Sequence, residues 1–214
     1  MLTVIQPPFN LDFIAWFCLV PFILISSPAA NPRRLAAVAY ITSLLYWLGN
    51  LYWIAFVTRA GWFSFCLYIA LYWPIIALAI RYCRAKKIPL LLAVPVLFVG
   101  AEAWQGYILT GFSWRFLAHS QYQNIRLIQL ADIFGAAGIS FLIAMVNAVV
   151  AELIIAVKRK NLSGPAVFIK AALVSALLIA SLIYGNYRIN QSDRFIEAGP
   201  LAAAIATAPT TCGR

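Results

Sequence analysis

The sequence is poor in the residues that build soluble active sites and metal centres. Its 214 residues include one histidine, His119, and only 10% of them are charged. The four cysteines form no CxxC pair and have no histidine cluster beside them, so neither a zinc site nor a redox motif is predicted, and no cofactor is expected. In a soluble globular domain about a quarter of the residues are charged. The much lower share in this chain excludes a single soluble domain.

Charge is missing from long continuous stretches. Residues 13–32, 35–58, 60–80 and 171–187 contain no Asp, Glu, Lys or Arg, and 88–114 and 133–157 contain one acid each, Glu102 and Glu152. About 20 apolar residues cross the hydrocarbon core of a bilayer. We therefore predict an all-α fold, a polytopic membrane helix bundle of about six transmembrane helices, at about 11–27, 35–57, 62–82, 88–109, 137–157 and 166–187.

The net charge of +10 indicates topology rather than nucleic-acid binding, because no basic face with interleaved aromatics lies outside the apolar segments. The loops after the first, third and fifth predicted helices contain nine basic residues and no acid: Arg33, Arg34, Arg81, Arg84, Lys86, Lys87, Lys158, Arg159 and Lys160. The positive-inside rule places these loops in the cytoplasm. The connection 110–136 and the C-terminal tail then lie on the outer face.

One carboxylate and four aromatic side chains form the candidate site. Glu102 precedes the outer end of its predicted helix by about eight residues, on the order of 12 Å. An acid at that depth is either functional or a structural group satisfied by its neighbours, and both explanations stay open. Trp53, Trp62, Tyr107 and Trp114 lie at predicted outer ends. They form an interfacial belt, the commoner explanation, or a lipid-binding platform.

Polar residues and glycines around the outer connection receive structural roles. Gly111 is expected to supply the permissive conformation at a helix exit. Asp132 precedes the fifth predicted helix together with Gly135 and Gly138, so we expect a cap or a glycine-permitted close helix crossing rather than a direct ligand role for Asp132. His119 has no partner acid nearby in sequence and is not assigned as a base.

Several motifs occur in a specific order: FNLDFIAWFCLVPF at 9–22, GNLYWIAFV at 49–57, Glu102 followed by TGFSW at 110–114, SQ at 120–121 and LIQLADIFGAAGISFLIAMVNA at 127–148. With these motifs, residues 11–187 resemble the membrane domain of apolipoprotein N-acyltransferase, a bacterial inner-membrane enzyme of lipoprotein biosynthesis. The family usually has Arg, Pro and Gly-Tyr where this chain has Gln105, Ser113 and Ala118/His119.

The resemblance implies acyl transfer from a membrane phospholipid to the N-terminal diacylglyceryl-cysteine of a lipoprotein. In the family a Cys nucleophile, a Glu base and a Lys perform it in a nitrilase-like domain on the outer face. This chain matches none of those motifs, so no catalytic residue is carried over. Cys212 has no candidate base or oxyanion group beside it. We expect a transmembrane bundle at 1–187 and a short tail at 188–214, where the nitrilase-like domain would begin, in a truncated chain that is inactive alone.

Two other functions stay open. A noncatalytic scaffold or lipid-binding module could serve a separate nitrilase-like partner, and the reading frame downstream of codon 214 would distinguish the two. A small-solute transporter is disfavoured, because Glu102 and Glu152 lie within predicted spans and no basic partner for them is expected there.

Overall fold

The computed structural model describes residues 1–108, 111–158 and 165–191. These residues form eight α-helices and no strand: α1 Val20–Ile25, α2 Pro32–Asn50, α3 Arg59–Ile69, α4 Tyr72–Ala85, α5 Leu90–Tyr107, α6 Ile125–Ile128, α7 Ala131–Lys158 and α8 Pro165–Asn190. Short 3-10 helices occupy Asp12–Trp16, Tyr52–Phe56 and Leu117–Gln121. The predicted all-α membrane bundle is confirmed.

Four helical stretches in the described residues are long and apolar enough to cross a membrane. They are Arg59–Ala85, which comprises α3 and α4, then Leu90–Tyr107, Ala131–Lys158 and Val167–Asn190. The other two of the six predicted segments differ. The first is a shorter apolar stretch, Asp12–Ile25. The second, α2, begins at Pro32, followed by two arginines, and ends at Asn50, seven residues before the predicted 57, because the chain turns into the 3-10 helix that follows.

Capping residues account for where the helices begin. The side chain of Asn31 accepts hydrogen bonds from the N–H groups of Arg33 and Arg34 at 3.0 and 3.3 Å, and Pro32 occupies the first turn of α2. The Thr58 hydroxyl accepts from the N–H of Gly61 at 3.3 Å at the start of α3. These caps satisfy amide groups that the first turn of a helix leaves unpaired.

The core lies between α5, α7 and the N-terminal segment. Ile23, Val94, Ile143, Ala144 and Ala148 are fully buried there. The apolar stretch of α7 is 56% buried inside the protein, whereas that of α8 is only 11% buried. Helix α8 therefore presents most of its apolar surface outward, as a helix at the lipid-facing edge of a bundle does.

The close helix crossing is found at a different glycine from the predicted pair. Gly135 has a φ of 62° and marks a kink in α7, with nothing within 4 Å of an added Cβ, and a Cβ at Gly138 would meet only the neighbouring Phe134. The predicted crossing at Gly135 and Gly138 is thus wrong. A Cβ at Gly185 of α8 would instead collide with the backbone carbonyl of Arg126 in α6.

Candidate functional site

The Glu102 carboxylate points from α5 toward the loop that follows this helix. Its Oε1 accepts a hydrogen bond from the N–H of Leu117 at 2.7 Å, and the Ser140 hydroxyl of α7 lies nearby. The same Ser140 oxygen accepts from the N–H of Ala118 at 3.0 Å. Glu102 therefore ties α5 to the 3-10 helix Leu117–Gln121, which Ser140 in turn joins to α7, and the Leu117 N–H gives this half-buried acid a hydrogen-bond donor.

Glu102 also lines a small cavity with other polar groups. The cavity has a volume of about 60 Å³, and its polar lining includes Glu102, Gln105, Arg115 and Tyr46. We call this cavity the polar chamber. The helix spacing and the path of the following loop explain how these groups meet. Glu102 and Gln105 are three residues apart on one face of α5, and the chain returns through residues 111–117 to bring Arg115 back over that face.

The Arg115 guanidinium is held against an aromatic ring. Its Nε donates to the hydroxyl of Tyr46 at 3.3 Å, and its Cζ lies 5.9 Å from the centre of that ring, within cation–π distance. The backbone of Arg115 has a φ of 63°, a conformation that residues other than glycine seldom adopt. No acid lies within ion-pair distance of Arg115 in the part of the chain that the structure describes.

Gln105 fixes the loop that carries Arg115. Its side-chain amide donates to the carbonyl of Phe112 at 2.9 Å and to that of Trp114 at 3.4 Å, while its backbone carbonyl accepts from the N–H of Phe112 at 2.9 Å. Gly111 has a φ of 77°, and a Cβ there would collide with the carbonyl of Gly106. The expected permissive role of Gly111 is confirmed, and the preceding Thr110 lies outside the described residues.

The four predicted aromatic residues occupy different environments. The rings of Trp53 and Trp114 stack with centres 5.2 Å apart, and these residues are 48% and 55% exposed. Tyr107 is 87% exposed. Trp62 is more enclosed: its ring packs edge-on against Tyr52, and its buried Nε1 has no hydrogen-bond partner among the described residues. The structure therefore pairs Trp53 with Trp114 and leaves Trp62 and Tyr107 in separate settings.

Two apolar grooves border the polar chamber. The first groove has a volume of about 530 Å³ and includes Leu19, Phe22, Val38 and Leu45 in its lining. The second groove has a volume of about 510 Å³ and includes Leu71, Ile75, Val96 and Trp104. Leu45, Ile75 and Trp104 are each more than 60% exposed, so both grooves open to the side of the bundle.

The grooves share their inner walls with the polar chamber. Leu2, Leu19, Tyr46, Trp73 and Phe98 line both the first groove and the chamber. Tyr72, Ile76 and Ala101 line both the second groove and the chamber. A small polar site thus lies between two larger apolar ones. Sequence reasoning assigned no role in the site to Tyr46 or Arg115, although a basic residue directly after the aromatic TGFSW motif was a usable signal.

His119 is engaged by the loop itself. Its Nδ1 accepts from the N–H of Phe116 at 3.3 Å, and its ring stacks on that of Phe116 with centres 5.4 Å apart. Partial burial removes water from the His119 imidazole and lowers its pKa below the usual value. A neutral imidazole with one nitrogen already occupied fits a structural role in the loop.

Two ion pairs join α8 to α7. Lys170 Nζ lies 2.7 Å from Glu152 Oε2, so the expectation that Glu152 has no basic partner within the spans is wrong. Sequence reasoning placed Lys170 in a predicted helix but did not see that α8 runs beside α7. Asp132 lies in the first turn of α7, and its Oδ2 pairs with Arg188 at 2.7 Å and accepts from the Tyr184 hydroxyl at 3.1 Å. An ion pair thus stands where a cap was expected.

The comparison with protein families decides the relationship. The family model described as the apolipoprotein N-acyltransferase N-terminal domain matches residues 1–149. The chain belongs to the apolipoprotein N-acyltransferase family. The matched range contains Glu102, Arg115 and all of the residues that line the two grooves, whereas α8 and its two ion-paired basic residues lie beyond it.

Relatives named apolipoprotein N-acyltransferase extend the match along the chain. The protein from Geobacter metallireducens is 32% identical over 188 residues, which cover 83% of this chain and 36% of the relative. The one from Rhodopirellula baltica is 28% identical over 203 residues, 86% of this chain and 35% of the relative. The chain therefore spans about a third of the length of these apolipoprotein N-acyltransferases.

Proposed function

We propose that this chain is the membrane domain of an apolipoprotein N-acyltransferase and that it holds the lipid substrates of acyl transfer from a phospholipid to a diacylated lipoprotein. The observation that carries the proposal is the polar chamber between two side-opening apolar grooves. A lipid has the same division between a polar centre and apolar chains. A site that opens sideways would admit a lipid directly from the bilayer.

The polar residues of the chamber support a binding role. Ionisable groups inside a membrane bundle are expensive to bury and commonly line a functional cavity. Glu102 has a hydrogen-bond donor in the Leu117 N–H, and Arg115 lines the chamber without an acid partner among the described residues. We propose that Glu102, Trp53, Trp62, Tyr107 and Trp114 face lipid or substrate, with the stacked pair Trp53 and Trp114 at the headgroup level, where amphipathic rings are favoured.

We place the acyl-transfer chemistry outside the residues described here. Cys18 and Cys66 are buried, and Cys18 donates its thiol hydrogen to the carbonyl of Ala15. Cys83 lies near the end of α4, away from Glu102 and Arg115, and Cys212 is outside the described residues. A nucleophilic cysteine needs a base and an oxyanion site. The described cysteines have neither beside them, so we propose that the described residues supply binding rather than covalent catalysis.

We further propose that the chain is a multi-pass protein of the bacterial inner membrane with residues 111–136 on the periplasmic side. Basic residues gather at one end of the bundle, where Arg81 donates to the carbonyl of Ala30 and Arg84 to that of Ile23. Arg115 and the Asp132–Arg188 pair lie at the other end. The positive-inside rule assigns the first end to the cytoplasm.

Cysteine labelling tests this orientation. Gln123 and Lys87 are both exposed at opposite ends of the bundle. In a chain with Cys83 and Cys212 replaced by serine, a membrane-impermeant maleimide added to intact cells should label Gln123→Cys and leave Lys87→Cys unlabelled until the cells are lysed. Labelling of Lys87→Cys alone in intact cells would reverse the orientation.

Variants of Glu102 test the lipid-binding function. Glu102→Gln keeps a side-chain oxygen for the N–H of Leu117 but removes a negative charge that opposes a lipid phosphate. We expect it to fold with near wild-type yield and to retain more phospholipid per chain after purification. Glu102→Ala leaves that N–H without its acceptor and should lower the free energy of unfolding by about 1–3 kcal/mol.

Asp12→Asn is the matched control, because Asp12 also lies in an outer segment but outside the polar chamber. It should leave both the yield and the phospholipid content at the wild-type level. Two quantities are measured for each variant: the folding yield and the amount of phosphorus per chain after purification in detergent. If Glu102→Gln changes the phospholipid content no more than Asp12→Asn does, Glu102 is a structural acid and the proposed site loses its main support.

A further inference from the structure

We propose that Arg115 binds the phosphate of a two-chain glycerophospholipid whose acyl chains occupy the first and second grooves. This inference rests on the proposed function and names the ligand and the residue that recognises it. It also explains why the polar chamber is too small for a whole lipid, since at about 60 Å³ it has room for little more than the contact between a headgroup and its ligand.

The guanidinium of Arg115 is preorganised to bind an anion. Tyr46 holds its Nε and covers one face, and the two terminal nitrogens have no hydrogen-bond partner within the described residues. A guanidinium presents a planar set of donors that matches the oxygens of a phosphate. The unusual backbone conformation of Arg115, at a φ of 63°, persists because the Gln105 contacts fix the preceding turn. The loop thus holds the side chain over the chamber.

The nearby carboxylate does not neutralise this cation. Glu102 lines the same chamber, yet its Oε1 is bound to the N–H of Leu117 and it forms no ion pair with Arg115. The hydrogen bond from the N–H of Leu117 stabilises the carboxylate without using the arginine. Arg115 therefore keeps its charge available for a ligand at the level of the chamber.

The two grooves set the number of apolar chains. Each has a volume of about 500 Å³, within the range of small-ligand sites, and their walls meet at the chamber. Tyr46 and Trp73, whose rings stack 5.4 Å apart, separate the first groove from the chamber, and Tyr72 and Ala101 border the second. A glycerol backbone over the chamber would direct one chain into each groove. A lipid with a single chain would leave one groove without its ligand.

Native mass spectrometry of the full chain in detergent tests the proposal with three probes: dioleoyl phosphatidylglycerol, dioleoylglycerol, which lacks the phosphate, and the single-chain lysophosphatidylglycerol. We expect Arg115→Gln to retain about tenfold less phosphatidylglycerol than wild type, which corresponds to one lost charge-assisted hydrogen bond. Retention of dioleoylglycerol should not change. Arg115→Lys should be intermediate, because it keeps the charge without the planar donors.

Arg59→Gln is the matched control, since Arg59 is an exposed arginine of the same outer end and lies outside the chamber. It should bind all three probes as wild type does. Equal phosphatidylglycerol retention by Arg115→Gln and Arg59→Gln would overturn the role of Arg115. Equal retention of the one-chain and two-chain phospholipids would overturn the proposal that one acyl chain occupies each groove. If wild type retains none of the probes, the proposed function itself fails.

Discussion

Lys170→Met should lower the free energy of unfolding by about 3–5 kcal/mol, the usual cost of leaving one partner of a buried ion pair alone. Lys170 Nζ lies 2.7 Å from Glu152 Oε2, and these side chains are only 28% and 13% exposed. The other carboxylate oxygen accepts from the N–H of Leu90 at 3.2 Å. Removal of the cation would therefore weaken the junction of α5, α7 and α8. Unfolding in mixed detergent and dodecyl sulfate micelles measures the change.

A double variant distinguishes the effect of losing the Lys170–Glu152 ion pair from nonspecific destabilisation by the substitution. Lys170→Met combined with Glu152→Gln removes both charges and should recover most of the lost stability, because a neutral pair is far cheaper to bury than a single charge. Lys87→Met, at an exposed turn, should change the free energy of unfolding by less than about 0.5 kcal/mol. A Lys170→Met variant as stable as Lys87→Met would show that this contact contributes nothing.

Asn147→Ala should lower the free energy of unfolding by about 2–6 kcal/mol, since two buried backbone groups each lose a partner at about 1–3 kcal/mol. The fully buried Asn147 of α7 accepts from the N–H of Leu19 at 2.9 Å and donates to the carbonyl of Ala15 at 2.9 Å. Ala15 belongs to the 3-10 helix Asp12–Trp16 and Leu19 directly precedes α1, so the amide bridges the point where the N-terminal segment lacks a continuous helix.

The exposed Asn186 of α8 provides the control for this amide. Asn186→Ala should leave the free energy of unfolding within about 0.5 kcal/mol of the wild-type value in the same micelle titration. Asn147→Ala should also make the N-terminal segment more accessible to protease than α7 is. A stability loss no larger than that of Asn186→Ala would mean that the Asn147 amide does not hold the segment.

Charge spacing predicted the long helices well and the interrupted ones poorly. The predicted segment 88–109 corresponds to α5, Leu90–Tyr107, because an apolar run bounded by Pro89 and a glycine turn leaves few alternatives. The predicted 11–27 is divided between a 3-10 helix and α1, because Asn147, 128 residues after Leu19, supplies the hydrogen bonds that a continuous helix would have made. A contact so distant in sequence leaves no local pattern.

The sequence alone predicted the acid of the candidate site, Glu102, but not its cation, Arg115. Glu102 stands out as one of two acids in apolar segments, so its depth alone singles it out. Arg115 lies in a loop, where a charge is ordinary, and only the turn through Gly111 and the Gln105 contacts bring it to Tyr46. Lys170 was similarly hidden, because the pairing of α7 with α8 is a tertiary feature that helical periodicity does not encode.

Photolabelling tests most directly the central claim that this membrane domain seats a phospholipid between two grooves. A phosphatidylglycerol with a diazirine on each acyl chain, incorporated into nanodiscs with the full chain, should label residues of both grooves after illumination. We expect the modified peptides to contain Leu45 or Phe98 of the first groove and Ile75 or Trp104 of the second. Labels spread over the outward face of α8, at Ile179 and Ile183, with both grooves unlabelled, would contradict the account.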